Sequence, residues 1–410
     1  MRANKRKANL SEYTDTINDI LPEDWDRVSL EKIAKIQYGK AKPKSNGNIN
    51  VVGSGGIYAT TNISLVNFPT LVIGRKGTAG SVWLCLEKCY PSDTTFYLDW
   101  KEDIDIFFLY NYMLFNPLSG EHAKTTLPSL QKPDLEQYLI PFPPIQEQKK
   151  IAGVLSAVQE AKEKTEEVIK AAKELKKSLM KHLFTYGAVS VEEAEKVKLK
   201  KTEIGMAPED WQEVALDDII EKTSNKDPRK TPSLDFKYID VSSINRENLK
   251  IEEYKIYQGK NSPSRARKIV EKDDVIFATI RPTLKRLTFI DEDFAGEICS
   301  TAFCVLRTNK EIMYPIYLFY AVQRDIFIEE LGIFQSGASY PAVTDSDVKK
   351  KKIFIPSLPI QQKIAGILSS VDKKIEAEEN KKKALDELFK TLLNNLMTGR
   401  IRVNNLDIEI

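Results

Sequence analysis

Apolar residues recur along this chain in two rhythms, which separate strand-rich regions from long helices. Short apolar runs bounded by glycine, proline and aspartate predict strands, with TLVIG and SVWLCL in one region and DDVIFATI and STAFCVL in another. Helical stretches follow these strands, DIDIFFLYNYMLF in the first region and PIYLFYAVQRDIFIEEL in the second. Each region is therefore predicted to be a mixed α+β domain.

A seven-residue repeat predicts two long helices. From Ile151, apolar or small residues occupy every a and d position across four heptads, which indicates coiled-coil character. These residues are Ile151, Val154, Val158, Ala161, Thr165, Val168, Ala172, Leu175 and Leu179. The same frame in the second helix gives Ile364, Ile367, Val371, Lys374, Glu378, Lys381, Leu385, Leu388 and Leu392. The middle of this second set is polar, so the centre of the pair is expected to be its weaker part.

A third apolar stripe runs along position e of both helices. Because a two-stranded coil needs only positions a and d, the added stripe widens the apolar face beyond one partner. Contact with the protein's own domains explains it, and so does docking of another subunit. The candidate partner-binding residues are therefore Leu155, Ile169, Leu183, Leu368, Ile375, Phe389 and Leu396.

The chain contains an internal repeat. The segment LPEDWDRVSLEKI at 21–33 returns as APEDWQEVALDDI at 207–219. Likewise IAGVLSAV at 151–158 returns as IAGILSSV at 364–371. If the two copies associate about a pseudo-two-fold axis, their helices run antiparallel and separate the two domains by a rod roughly 50 Å long.

The repeat predicts the following organisation. A basic arm (1–20) precedes a first domain (21–143), a central helix (144–186), a linker (187–206), a second domain (207–356), a C-terminal helix (357–403) and a tail (404–410). The expected fold class is α+β, with two globular domains and two long antiparallel helices that form a coiled coil.

Composition is that of a soluble globular protein, with 42% apolar and 29% charged residues among 410. No apolar run is long enough to span a membrane and the N-terminus lacks the apolar stretch of a secretory signal, so a cytoplasmic location is expected. The cysteines are expected to be packed thiols, since a zinc site prefers tighter CxxC pairs. They are Cys85, Cys89, Cys299 and Cys304. With two histidines, His122 and His182, catalysis through histidine is poorly supplied.

The net charge of +2 hides two local excesses of positive charge. The first stretch, which has no acidic residue before Glu87, contains Lys32, Lys35, Lys40, Lys42, Lys44, Arg75 and Lys76. The second contains Lys260, Arg265, Arg267, Lys268, Lys272, Arg281, Lys285 and Arg286. Such excesses suit a polyanion partner, although one basic patch is more often only solvated surface.

The segment IGRKGTAGS at 73–81 looks like a phosphate-binding loop but has the wrong spacing. A Walker loop has four residues between its glycines and then Lys-Ser/Thr. Counting from Gly74, the second glycine would fall at Ala79 and the lysine at Gly80. A nucleotide site is therefore not predicted, and no cofactor is expected.

Several motifs together resemble the specificity subunit of Type I restriction-modification systems. These are GSGGIYATTN, IGRKGTAGSVWL and YPSDTTFYL in the first half, and YIDVSSIN, PSRARKIVEKDDVIFATIRPTLKRL, ICSTAFCVLR and SGASYPAV in the second. The flanking EIGMAPEDW, IPFPPIQEQKKIAGVL and LMTGRIRV are similar to that family's shared regions, and the resemblance runs from about Leu21 to Val403.

The resemblance implies a non-catalytic DNA-recognition subunit. Each domain would read one half of a bipartite, asymmetric sequence in double-stranded DNA. The helices would be the spacer and the platform for two methyltransferase subunits, with restriction subunits as further partners. The turn before the second helix is two residues shorter than the first between IP and IA, so the equivalence of the two docking faces stays open.

Candidate DNA-binding residues follow from chemistry in the two basic stretches. Arginine presents a planar fork suited to guanine O6/N7 or to phosphate, and glycine lets backbone approach closely. The candidates are Lys40, Lys42, Lys44, Arg75, Lys76, Arg265, Arg267, Arg281, Lys285 and Arg286, with Ser336, Ser339 and Tyr340 around the turn at Gly337.

Two other classes remain open. A metal-dependent nuclease would use Asp93 with Asp99-Trp100-Lys101. Aligning YPSDTTFYLDWK with EICSTAFCVLRT pairs these acids with Ser300 and Leu306, and Lys101 with Thr308, so the second copy lacks the pattern. Methyl transfer is not favoured either, because the segment NPLS at 116–119 is not an NPPY-like motif. The remaining class is a coiled-coil scaffold that does not contact DNA.

Overall fold

The computed structural model describes residues 21–118, 129–333 and 341–403. The chain divides into two compact units. The first unit comprises Met1–Glu166 and Lys381–Ile410, and the second comprises Glu167–Asn380. Each unit therefore contains a strand-rich domain and a part of each long helix.

The first unit builds its domain from a four-stranded sheet, a three-stranded sheet and a strand pair. Its strands are β1 (Asp26–Ser29), β2 (Ala34–Tyr38), β3 (Ile49–Gly53), β4 (Gly56–Thr61), β5 (Thr70–Gly74), β6 (Val82–Cys85), β7 (Tyr90–Pro91), β8 (Thr95–Trp100) and β9 (Leu139–Phe142). The sheet orders are β2-β8-β5-β6 and β4-β3-β7, and β1 pairs with β9. Strand β3 runs parallel to β7, whereas β5 runs antiparallel to β6 and β8.

Helices cover the four-stranded sheet of this unit. They are α1 (Leu30–Ile33), α2 (Ile106–Phe115), α3 (Lys132–Glu136) and the first long helix, α4 (Ile145–Tyr186), of which residues 145–166 belong here. Asp105 caps α2 by accepting the amide of Phe108 at 2.9 Å. Buried side chains from strands β2, β5 and β8 form one core with α2 and with Ile151 and Leu155 of α4.

The second unit contains the remaining elements. Its strands are β10 (Leu199–Thr202), β11 (Gly205–Pro208), β12 (Gln212–Ala215), β13 (Ile220–Glu221), β14 (Asp235–Ile239), β15 (Lys255–Gln258), β16 (Ala266–Ile269), β17 (Val275–Ala278), β18 (Leu287–Phe289), β19 (Ile298–Ser300), β20 (Phe303–Thr308) and β21 (Lys352–Ile355). Its helices are α5 (Val191–Ala194), α6 (Pro315–Ala321), α7 (Asp325–Ile333), α8 (Asp345–Lys349) and the second long helix, α9 (Leu358–Met397), whose residues from 381 onward belong to the first unit.

The two domains share one topology. The sheet β13-β20-β17-β18 repeats the order β2-β8-β5-β6, and β15-β14-β19-β16 repeats β4-β3-β7 with one strand added. The pair β12–β21 repeats β1–β9. The internal repeat predicted from the sequence is therefore present at the level of individual strands.

The sheet register corrects the alignment of the two copies around β8 and β20. Ala34 pairs with Trp100 in the first domain, and its repeat equivalent Ile220 pairs with Thr308 in the second. Trp100 therefore corresponds to Thr308, one residue away from the alignment based on the phenylalanines. In the corrected register the counterparts of Asp93, Asp99 and Lys101 are Thr301, Arg307 and Asn309. The second copy still lacks the acidic pattern.

A buried glutamine ties each long helix to its own domain. In the first unit, Gln148 donates to the carbonyl of Pro143 and accepts the amide of Asp105, both at 2.9 Å. In the second, Gln361 donates to the carbonyls of Pro356 at 2.8 Å and Ile312 at 3.0 Å, and accepts the amide of Tyr314 at 2.7 Å. Both glutamines are fully buried. Each amide therefore fixes the start of its long helix against the start of α2 or α6.

A second network closes the first unit. The Arg402 guanidinium donates to Asp24 Oδ1 at 2.8 Å and to Glu147 Oε1 at 2.7 Å. The Trp25 indole donates to Glu147 Oε2 at 3.0 Å. Hydrogen bonds to Glu147 and Asp24 hold the pKa of Arg402 above its usual value. The segment after α9 is thereby held against the first domain and the start of α4.

The long helices run antiparallel within each unit. In the first unit, Lys162 pairs with Asp386 at 2.6 Å and Glu166 with Lys382 at 2.5 Å. In the second, Lys176 pairs with Asp372 at 2.7 Å and Lys173 with Glu379 at 2.8 Å. In each unit, positions further along α4 meet positions earlier in α9, which confirms the predicted antiparallel coiled coil.

The seam between the helices uses a different heptad frame from the one predicted. Inward-facing residues follow positions a and e, with alternating spacings of four and three. On α4 they are Ile151, Leu155, Val158, Lys162, Thr165, Ile169, Ala172, Lys176, Leu179 and Leu183. On α9 they are Ile364, Leu368, Val371, Ile375, Glu378, Lys382, Leu385, Phe389, Leu392 and Leu396. The seam of α9 is therefore less polar than expected, since Lys374 and Lys381 lie outside it.

This heptad frame determines what the predicted partner-binding residues contact. Those residues pack within the chain itself, so they are not a free docking surface. Leu155, Phe389 and Leu396 pack in the core of the first unit, Leu183 and Leu368 pack in that of the second, and Ile169 and Ile375 are also buried. Some d positions are exposed instead, with Val168 at 41% and Leu175 at 52%, whereas Val154 and Ile367 pack against the two cores.

The cysteines are free thiols. Cys89, Cys299 and Cys304 are buried and Cys85 is half-buried. Burial raises the pKa of Cys299 and of Cys304 to about 12, so both stay protonated at neutral pH. Within the described parts of the chain, no helix is both long and apolar enough to cross a bilayer.

Replacing Gln148 or Gln361 with alanine is expected to destabilise the corresponding unit by ~2–4 kcal/mol, because buried peptide groups lose their partners and a cavity opens. Urea unfolding of the whole chain measures the change. Gln146 and Gln362 are exposed neighbours, and their alanine variants serve as controls with changes below ~0.5 kcal/mol. Equal effects of buried and exposed glutamines would contradict this role.

Candidate nucleic-acid interface

Loops from both sheets of the first unit meet around Thr94, in the turn between β7 and β8. The Thr94 carbonyl accepts the amides of Arg75 at 2.8 Å and Lys76 at 3.2 Å. Its hydroxyl lies 2.8 Å from the Ser92 hydroxyl and accepts the amide of Ser54 at 3.3 Å. The amide of Lys40 donates to Pro91 at 3.1 Å. We call this assembly of residues 39–45, 53–56, 74–81, 91–94 and 129–132 the Thr94 loop cluster.

Arg75 is fixed at the centre of this cluster. Its guanidinium carbon lies 5.3 Å from the ring centre of Tyr38 and 5.9 Å from that of Phe96. Its Nη2 donates to the carbonyl of Asp93 at 3.0 Å, and its own carbonyl accepts the amide of Leu130 at 2.9 Å. The Nε atom is buried and has no hydrogen-bond partner among the described residues. Stacking and hydrogen bonds therefore limit this side chain to one orientation.

The glycines of the 73–81 loop serve close packing of the backbone. A Cβ on Gly74 would lie 2.3 Å from the carbonyl oxygen of Thr78. Gly80 has a φ of +83°, and a Cβ there would lie 2.1 Å from the carbonyl oxygen of Leu118. These contacts explain the glycine-rich sequence without a bound phosphate.

The predicted lysines of this unit lie within the cluster. Lys40, Lys42, Lys44 and Lys76 are all exposed. Over residues 21–118, 129–333 and 341–403, no carboxylate lies within salt-bridge distance of any of the four. Their charges are therefore available to an external anion.

Exposed aromatic side chains at the same loops were not predicted from the sequence. Tyr38 is 50% exposed beneath Arg75. Trp83 donates its indole N–H to the Ser54 carbonyl at 3.2 Å, and its ring fills the space beside Gly56. Tyr58 on β4 is also exposed. The alternation of side chains along β6 could have indicated that Trp83 is exposed, because the buried Val82 precedes it.

In the second unit, the predicted residues divide between surface and internal contacts. Arg281 and Lys285 both have left-handed backbones, with φ of +49° and +51°, in the loop between β17 and β18. Lys285 pairs with Asp325 at 2.5 Å, and Arg286 donates to the Val241 carbonyl at 2.5 Å. These internal bonds involve two of the cationic side chains that were predicted to bind DNA.

Two further predicted residues of this unit, Arg265 and Arg267, lie beside and on β16 respectively. Arg267 donates to the Ala266 carbonyl at 2.6 Å and lies 3.6 Å from Asp227. Arg265 is exposed, and its carbonyl accepts the amide of Thr301, the counterpart of Asp93. Ser336, Ser339 and Tyr340 lie outside the described residues.

A polar cleft lies beside Arg286. Its volume is about 790 Å³, and the lining residues are Ser242, Ser243, Ile244, Asn245, Arg246, Glu247, Glu252, Glu253, Thr283, Leu284, Lys285 and Arg286. Asn245 and Asn248 donate to Glu252 at 2.8 and 2.6 Å. The cleft lining therefore carries both signs of charge, with carboxylates and Arg246 on the segment 242–253 and two cations on the segment 283–286.

The geometry does not support the nuclease alternative at Asp93 and Asp99. Asp93 lies in the turn before β8, and Asp99 lies within β8 opposite Lys35. The strand from Thr95 to Asp99 alone spans about 13 Å, so the two carboxylates do not share a metal ion. Lys101 donates instead to the carbonyl of Glu31 at 2.5 Å.

Comparisons with known proteins give one consistent result. The family described as "Type I restriction modification DNA specificity domain" matches residues 22–174 and again residues 208–387. The chain is 27% identical over 421 residues to the Type I restriction enzyme MjaVIII specificity subunit of Methanocaldococcus jannaschii, covering 94% of this chain and 95% of that protein. It is 29% identical over 295 residues to the putative MjaX specificity subunit of the same organism, covering 67% and 62% respectively.

Among solved structures, the Type I restriction-modification S subunit from M. genitalium is similar, with a TM-score of 0.63 and 17% identity over 92% of this chain and 97% of that one. Two copies of one α+β domain, each continued by a long helix, define the class of duplicated DNA-specificity proteins. Because the family match covers most of its length, this chain belongs to the Type I restriction-modification DNA specificity family. It is a recognition subunit and not a catalytic one.

Proposed function

We propose that this chain recognises a bipartite, asymmetric sequence in double-stranded DNA. Residues 21–143 read one half and residues 207–356 read the other. The supporting observation is that two domains of one topology place different side chains on equivalent loops. A shared scaffold gives both domains the same approach to a duplex, and divergent loops give each a different sequence preference.

Phosphate contacts and base contacts come from different groups in this proposal. The exposed lysines around the Thr94 loop cluster supply sequence-independent attraction. In the second domain Arg265, Arg281 and Arg286 are the retained candidates, with Ser336, Ser339 and Tyr340. Lys285 and Arg267 contribute less, because they already make ion pairs. Acting on DNA, the protein works in the cytoplasm.

The exposed d positions of the long helices are the proposed docking surface for methyltransferase subunits. Val168 and Leu175 form an apolar stripe on the second unit's part of α4, outside the seam. On the first unit's part of α9, Leu388 is 45% exposed. Two subunits are proposed, one for each copy of the repeat, and restriction subunits join through the assembled complex.

Two alternatives are less favoured. A nuclease would need its carboxylates gathered, whereas β8 holds Asp93 and Asp99 apart. A scaffold without DNA contact leaves the unpaired lysines of the Thr94 loop cluster unexplained. A salt-dependent shift assay with duplex DNA, with and without the methyltransferase partner, distinguishes these classes. The proposed function predicts salt-dependent binding without metal-dependent cleavage. A nuclease would cleave the DNA when metal is added, and a scaffold would not bind it.

Exchanging residues 21–143 for the corresponding domain of another specificity subunit is expected to change one half of the target. Mapping methylated bases in DNA from cells with the complete system measures both halves before and after the exchange. Retention of the other half is the internal control for folding and assembly. A change in both halves, or in neither, would contradict the division of labour.

Replacing Leu175 with aspartate is expected to weaken association with the methyltransferase subunit by about tenfold or more, because a charge replaces apolar contact area. Affinity between the purified subunits is the measurement. Lys170 is exposed on the same helix and outside the seam, and Lys170→Asp introduces the same carboxylate as a control. Equal loss in both variants would place the docking surface elsewhere.

A further inference from the structure

The two domains hold one equivalent backbone position in the same way but place different side chains there. In the first domain, the amide of Arg75 donates to the Thr94 carbonyl and its carbonyl accepts the Leu130 amide, at 2.8 and 2.9 Å. In the second, Thr279 makes the same bonds to Ala302 and Val343, at 2.8 and 3.0 Å. The isolated bridges Lys76–Ser129 and Ile280–Ala342 repeat the match one residue further on. Arg75 and Thr279 are therefore structural equivalents.

The difference between Arg75 and Thr279 helps to distinguish a base contact from a phosphate contact. Phosphates are the same along every duplex, so a phosphate contact serves both copies of a duplicated reader equally well. Bases differ between the halves of an asymmetric target, so residues that read bases must differ between the copies. At this equivalent backbone position, the first domain has an arginine and the second has a buried threonine. Such a difference is expected of a residue that contacts a base.

The fixed orientation of the Arg75 side chain also favours a base contact. Reading a base requires donors at fixed positions, and a side chain that is already ordered loses little entropy on binding. Of its five N–H groups, Nε–H is buried and one on Nη2 is donated to Asp93. Donors on Nη1 and Nη2 remain, and this edge can form two parallel hydrogen bonds. The exposed lysines nearby have no such restraint and suit phosphate contacts.

We infer that Arg75 reads a guanine in the half-site of the first domain, through paired hydrogen bonds to O6 and N7 in the major groove. Tyr38 and Asp93 act as positioning residues for its guanidinium, and Lys76 contacts phosphate. This inference rests on the proposed function, because it requires that the first domain read DNA.

The first experiment uses the complete system in cells. Methylated sites are mapped for the wild type, Arg75→Lys and Lys76→Ala. Arg75→Lys keeps the charge but lacks the planar fork, so one guanine in one half of the target is expected to lose about tenfold in preference. Lys76→Ala is expected to leave the motif unchanged. An unchanged motif for Arg75→Lys, or no guanine in the first domain's half-site, would overturn the inference.

The second experiment removes an atom from DNA instead of the protein. Duplexes carrying the mapped motif have single guanines replaced by 7-deazaguanine, which lacks the N7 acceptor. Wild-type complex is expected to lose several-fold affinity at one guanine of that half-site, and Arg75→Ala is expected to be insensitive there. If every replacement affects both proteins alike, Arg75 does not read a base.

Salt dependence supplies the matched control. Lys76→Ala is expected to lower the slope of log affinity against log salt by about 1, as for one lost phosphate contact. A slope change for Arg75→Ala with full sensitivity to 7-deazaguanine would make Arg75 a phosphate contact and overturn the inference. If the wild type shows no specific methylation and no preference for any duplex, the proposed function itself fails, which is a different outcome.

Discussion

The buried glutamine at the start of each long helix is the contact on which the arrangement of each unit depends. Prolines leave the chain before the helix extended, and Gln148 and Gln361 then satisfy peptide groups that have no access to water. Leaving such a group unpaired costs ~1–3 kcal/mol, so the helix has one favourable entry against its domain. Because this glutamine donates to a proline carbonyl and accepts a backbone amide in both units, both units begin their helices in similar local geometry. The loops at the other end of the sheets are then free to diverge without altering the frame.

The repeat was predictable from the sequence, but the helix seam was not. Repeated motifs and apolar runs are local signals, and the strands that they predicted exist in both domains. The seam depends on which of two adjacent apolar stripes faces the partner helix. Val168 and Ile169 are both β-branched and apolar, yet only Ile169 is buried. Cross-helix pairs such as Lys176–Asp372 favour the a/e frame, and they involve residues far apart in sequence. A heptad count on one helix contains no information about them.

The candidate site shows the same limit. Arginine chemistry and local charge pointed to Arg75, but not to the Tyr38 ring beneath it, since no periodicity links residues 38 and 75. The alignment of the two copies matched Phe96 with Phe303, and the sheet shifts that match by one residue. Only after this shift do the turns at Thr94 and Ala302 coincide, and with them Arg75 and Thr279. Backbone hydrogen bonds decide which residues of the two domains correspond. Side-chain similarity alone does not decide this, because similar side chains can be matched in more than one register of a β-strand.

The net charge of +2 conceals a difference between the two domains. In the second, several cations of the basic stretch are neutralised internally: Arg267 by Asp227, Lys268 by Asp345 and Lys285 by Asp325. In the first, no carboxylate of the described residues lies within salt-bridge distance of Lys40, Lys42, Lys44 or Lys76, whereas Lys132 pairs with Glu136. An ion pair attracts a polyanion far less than an unpaired cation does, because its field falls off more steeply with distance. If both domains bind DNA, the first therefore contributes more of the salt-dependent affinity. On the same condition, the second depends more on short-range contacts than on net charge, because several cations of its basic stretch are already paired.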